Sequence, residues 1–248
     1  MKKVIDGTVY LGHFHFEELF NLSDVEIIGS FNCRDNYLTS LAGCPKTVSV
    51  NFNCGNNRLT SLVGCPETVG GIFACFNNQL TSLVGCPETV GDNFVCSNNH
   101  LTSLVGAPKR VSGRFNCSRN RLTSLAGAPH TIDGLFDCHS NYLTSLKDAP
   151  HTGVKSFHCF DNRLTSLAGA PHTVVGDFYC HNNSLTSLKG APHTVGLGFY
   201  CQHNNLTSLE GIPETVGGSF YISKELKDKF PEEYIRSLCT ISGSVNYV

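Results

Sequence analysis

The stretch Phe115-Asn116-Cys117-Ser118-Arg119-Asn120-Arg121-Leu122-Thr123-Ser124-Leu125-Ala126-Gly127-Ala128-Pro129 decides the fold, because its wording returns every 21 residues. The first leucine of Leu-Thr-Ser-Leu stands at Leu38, Leu59, Leu80, Leu101, Leu122, Leu143, Leu164, Leu185 and Leu206, with no insertion between copies. Phe recurs in the same frame from Phe31 to Phe220, Cys two residues later from Cys33 to Cys201, and Asn three further on from Asn36 to Asn204. Each unit runs on through Gly-x-Pro, and most close on Thr-Val.

Twenty-one residues are three heptads, which raises a coiled coil, but every unit carries proline and nearly every one glycine, and a long helix tolerates neither. Phe-x-Cys alternates with period two, as a short strand does, while the Asn and the Gly-x-Pro corner supply the bends that return the chain on itself. One such coil cannot bury its own apolar side, so neighbours above and below must complete the core. Ten phenylalanines then form one column, and nine or ten coils at about 4.8 Å each give a stack on the order of 45 Å long with a parallel sheet along one side.

Phe-x-Cys-x-x-Asn-x-Leu resembles the Leu-x-Leu-x-x-Asn-x-Leu signature of leucine-rich repeats, from residue 31 to about 222. The short unit with Leu-x-x-Leu and a proline is similar to the bacterial-effector type, and the Asn-x-Leu-Thr-Ser-Leu-x-Gly-x-Pro wording resembles repeat proteins of bacteria and their phages. The resemblance implies a mainly β, right-handed curved solenoid with one parallel sheet, short irregular convex turns and a role in holding other macromolecules. Cys stands here where Leu, Ile or Val is usual, and the Leu-Pro-x-Leu-Pro corner is missing. In the unit of Leu143, Asp148 replaces the Gly and Gly153 the Val, which predicts a local kink.

The division expected is an N-terminal cap over 1–29, a solenoid of nine or ten coils over 30–222 and a helical C-terminal cap over 223–248, where charge falls on helical spacing. Polar end units are the usual cover for the open ends of such a stack. The chain has 248 residues, 15% of them charged, and a net charge of −2, which carries no electrostatic footprint for nucleic acid or an anionic membrane. Val4-Ile5 gives way to Asp6-Gly7 before any signal-peptide core could form, and no apolar run reaches about 18 residues. The expectation is a cytoplasmic chain whose thirteen cysteines stay reduced.

A straight cysteine ladder does not converge as tetrahedral zinc requires, no Cys-x-x-Cys occurs, and cysteine packs as a small hydrophobe, so the column reads as core. The Asn column reads as a ladder that satisfies backbone groups at the bends. His130, His151, His172 and His193 follow the proline in successive units, where other copies carry Lys46, Glu67, Glu88, Lys109 or Glu214, and read as an exposed turn position.

The informative positions flank the strand cysteine, because their side chains face out while Phe and Cys face in. In the second half of the chain these columns collect Asp137, His139, His158, Phe160, Tyr179, His181, Tyr200, Gln202 and Tyr221, with His203 beside them. Aromatic side chains aligned on a fixed scaffold are the usual substance of binding hot spots. No Gly-x-Ser-x-Gly elbow, phosphate loop or His-Glu-x-x-His occurs, and no catalytic residue, metal or cofactor is read. The function expected is a non-enzymatic protein-binding module working through its sheet face, of the kind a phage or bacterium would encode to block a host protein. The alternatives are a small-molecule or nucleotide binder using Tyr179, Tyr200, His181 and Arg163, and a structural spacer.

Overall fold

The structure, a computed structural model, describes residues 3–248. Met1 and Lys2, at the start of the expected N-terminal cap, lie outside them. Each repeat contributes a short strand that begins at or beside its phenylalanine, from Phe31–Asn32 to Phe220–Ile222. Neighbours pair in parallel one unit out of phase, so that Phe94 meets Phe115 and Asn116 meets Asp137. The result is a 12-stranded parallel sheet. Two of its strands come from the flanks: Val9–Tyr10 pairs with Phe31–Asn32, and Val245–Tyr247 with Phe220–Ile222. Among the described residues helix is confined to a 3-10 turn at Lys224–Leu226 and the α-helix Glu232–Leu238.

Strands of two or three residues have little stability of their own, so packing must hold them. The ten phenylalanines from Phe31 to Phe220 are fully buried, and consecutive rings lie 5.2 to 6.0 Å apart. The paired leucines of each unit, such as Leu122 and Leu125, are buried with them. Each such side chain removed from water contributes about 1.5 to 3 kcal/mol, so the columns supply what local hydrogen bonding cannot.

A single sheet is expected along the stack, and here the structure differs. The Thr-Val closures, joined by Lys3–Asp6 and Val25–Ile28 at one end and Thr240–Ile241 at the other, form a second line of strands, seven from Lys3–Asp6 to Thr131–Ile132 and four more from Thr173–Val174 to Thr240–Ile241. Both residue types favour extended backbone, the valine drops into the core, and the N–H groups find carbonyls one coil away. The line breaks in the unit of Leu143, where the kink is expected. Thr152 makes only an isolated bridge to Thr131, Gly153 adopts φ +77°, and Val154 fills the buried slot one residue late. The main sheet crosses the same unit without interruption, Leu135 to Asp137 pairing with Ser156 to His158.

The Asn column is a hydrogen-bond ladder. Asn120 donates from Nδ2 to the carbonyls of Cys96, Cys117 and Ser118 at 3.0 to 3.2 Å and accepts the N–H of Leu101 at 3.0 Å. Asn57, Asn78 and Asn141 repeat the pattern. The residue before each Asn takes left-handed backbone, including Arg119 at φ +54°, a feature the varied side chains at that position conceal.

Eleven of the thirteen cysteines are buried, Cys65 and Cys86 are half-buried, and all are free. In the second half of the stack each column thiol donates to a carbonyl of the next coil, as Cys138 does to His158 at 3.3 Å. A leucine could fill that space but could not make the bond. Burial pushes the thiol of Cys33 up to about 12, and does the same to Cys65 and Cys86. A thiol reagent applied without denaturant should therefore modify at most Cys65 and Cys86 readily; rapid modification of most of the thirteen, read by mass spectrometry, would show that the column is not core.

Candidate functional site

Inward Phe and Cys leave two outward columns on the long sheet, one before and one after each cysteine. The column before it brings His158, Tyr179, Tyr200 and Tyr221 into register as direct strand partners. The rings of Tyr179 and Tyr200 stack at 4.0 Å and 6°, those of Tyr200 and Tyr221 at 4.4 Å and 10°. His158 meets Tyr179 edge-on at 4.6 Å. In the column after the cysteine, Phe160 is sandwiched between His139 at 4.4 Å and His181 at 4.6 Å, both nearly parallel to it. The columns also touch, with Tyr179 5.9 Å from His181 and 6.3 Å from Phe160.

The scaffold below sets this geometry. Adjacent coils hold equivalent Cα atoms one strand spacing apart, close to the thickness of stacked rings, so aromatic residues at the same position in successive units pack face to face. Gly198 makes room for the centre of the tyrosine column, since a Cβ there would come within 2.6 Å of the Tyr200 ring. Nothing in the repeat pattern marks that glycine.

Three of the expected contact residues are placed differently from the rest. Asp137 is only 2% exposed, and its carboxylate accepts hydrogen bonds from Arg114 and from Nδ1 of His139, the latter at 2.6 Å. Burial pushes this carboxyl upward, but the His139 hydrogen bond and the charges of His139, His158 and Arg114 outweigh it and hold the group below the usual aspartate range. The residue is set back from the surface and orients His139. His203 sits at the left-handed bend, φ +54°, exposed and outside both columns. Gln202 continues the Phe160 column, with a buried Oε1 that has no hydrogen-bond partner among the described residues. Nδ1 of His181 is buried and unpartnered in the same sense. Arg163, the expected anion contact of the ligand alternative, lies over the Tyr142 ring at 4.5 Å.

Burial lowers the pKa of His158 and of His181 and raises that of the Tyr200 phenol. All three therefore favour their neutral forms at pH 7. The other end of the same face contrasts sharply. Asn32, Asn53 and Asn116 turn their side-chain oxygens back onto the N–H groups of Arg34, Gly55 and Ser118, so much of its hydrogen-bonding capacity is used internally.

The fold has a solved counterpart. YopM from Yersinia enterocolitica WA-314, a leucine-rich-repeat protein, superposes with a TM-score of 0.63 at 22% identity, over 82% of this chain. The chain has the leucine-rich-repeat fold. This leucine-rich-repeat solenoid corresponds to 44% of the length of YopM, so the likeness spans less than half of that protein. No family model and no curated protein matches the chain. Among the described residues of the solenoid no helix is long and apolar enough to cross a membrane, and no group of three His, Cys, Asp or Glu is placed to hold a metal ion.

Proposed function

We propose that the solenoid binds a protein partner through the outer face of its long sheet, at the aromatic columns of the C-terminal half, and catalyses no reaction. The observation that carries this reading is the continuous stack Tyr179–Tyr200–Tyr221 lying against His139–Phe160–His181. Rings locked against each other on a rigid ladder lose little further freedom when a partner covers them, which is the condition for strong hot spots. A nucleotide is a poorer fit: stacking at 4.0 and 4.4 Å leaves no slot between the tyrosines for a base. A mere spacer gives no reason for stacked aromatic rings to run unbroken through one half of the face, where the other half mixes Asn32, Asn53 and Asn116 with Ala74, Val95 and Phe76. The likeness of the repeats to bacterial and phage proteins supports a setting in which the partner is a host protein that the solenoid blocks or tethers.

Tyr179→Ala combined with Tyr200→Ala should weaken binding by at least about 2 kcal/mol while the circular dichroism spectrum is unchanged. The measurement is calorimetry with the protein captured from the source cells. Unchanged affinity in the folded double variant would move the site to the Gly-x-Pro corners or the ends.

A further inference from the structure

Histidines are interleaved with the aromatic rings of this face, and their surroundings give them a shared task. His139 and His181 cover the two sides of Phe160, and His158 stands edge-on to Tyr179. The charged groups that face them are few. His158 feels Asp137 and Asp177 on one side of the balance and Arg114 and His139 on the other; His181 feels Asp161 against His203 and His139. Asp137 is already engaged by Arg114 and His139. Protonating His158 and His181 would thus put new positive charge beside Arg114 and His139, in a half-buried aromatic layer where one imidazole nitrogen has no acceptor.

We propose that this aromatic face is proton-gated: it holds an apolar, uncharged protein surface at neutral pH and releases it on acidification. This rests on the protein-binding reading and adds the chemistry of the partner and its regulation. The sign follows from linkage. A covering apolar surface removes more water from His158 and His181, which disfavours their charged forms further. The free chain then binds more protons than the complex, and affinity falls as pH drops through the range in which the free imidazoles titrate. A partner bearing carboxylates opposite the histidines would show the reverse slope.

The test uses the full chain and Nile red, a neutral probe of apolar surface, between pH 7.5 and 5.0, with histidine Cε1–H shifts followed by NMR in the free chain. The expected result is dye binding at pH 7.5 that weakens by roughly tenfold at pH 5.0, on the order of one proton's linkage, in step with the titration of His158 and His181. In His158→Gln with His181→Gln the ratio of dye affinity at pH 7.5 to that at pH 5.0 should fall to about one. Dye binding that is equal at both pH values in the unsubstituted chain, stronger at pH 5.0 or absent at pH 7.5 overturns the proposal, as does a pH dependence that survives in the double glutamine variant. Dye binding untouched by Tyr179→Ala with Tyr200→Ala would instead count against the site itself, so the two failures are separable.

Discussion

Phe115→Ala should destabilise the solenoid by about 3 to 5 kcal/mol, the range for emptying a buried aromatic site. Phe115 is fully buried between Phe94 at 5.3 Å and Phe136 at 5.8 Å, each ring nearly parallel to it. In a globular core neighbouring side chains shift into such a gap and recover part of the loss. Here those neighbours belong to coils whose strands are fixed in register on both sides, Phe94 pairing with Phe115 and Phe115 with Phe136. Closing the gap would tilt two coils and strain their Asn ladders. Repeat stacks also lose stability at interfaces, so one central defect weakens the couplings on both of its sides. Urea unfolding followed by circular dichroism measures the effect, and Phe115→Leu should lie well above alanine because it keeps most of the volume. An unchanged midpoint for Phe115→Ala would show that the phenylalanine column does not carry the core.

The phenylalanine, cysteine and asparagine columns are legible in the sequence because they are periodic, and a solenoid turns sequence period directly into spatial neighbourhood. The irregular unit of Asp148 and Gly153 is legible for the same reason: a departure from a strict period marks a departure in structure, here a break in the second line of strands between Thr131–Ile132 and Thr173–Val174, not a break in the main sheet. The second line of strands is harder to see. Thr-Val is two residues long, too short to show alternation, and its pairing depends on where the coil passes its neighbour. Of the outward columns, position could be read but depth could not. Asp137 and His158 occupy the same place in adjacent units, yet the first is buried because Arg114 and His139 close over it. The likeness to YopM reaches the shape of the chain and stops there, since 22% identity leaves the outward side chains without a counterpart.

Asn120→Ala should destabilise by about 1 to 3 kcal/mol, and Asn120→Asp by more, a ranking that separates a hydrogen-bond ladder from a simple packing role. The alanine leaves the Leu101 N–H buried without its acceptor, while the carbonyl of Cys96 loses one of two donors and keeps Asn99 at 3.1 Å; an unmet buried group costs about 1 to 3 kcal/mol. Aspartate has nearly the shape of asparagine and keeps the acceptor for Leu101. It nevertheless turns an oxygen toward the carbonyls of Cys96, Cys117 and Ser118, where Nδ2 now donates at 3.0 to 3.2 Å. A carboxylate pressed against three carbonyl oxygens is repelled by all of them and has lost its water as well. Protonation gives it one O–H to donate, so its folded-state pKa should lie above the unfolded value. The aspartate variant should then gain stability relative to the unsubstituted chain as pH falls from 7 toward 5, whereas the alanine variant should not. Urea midpoints for both variants across that range test the point: an aspartate variant as stable as the unsubstituted chain at pH 7 would mean that the amide donors do not hold the coils together.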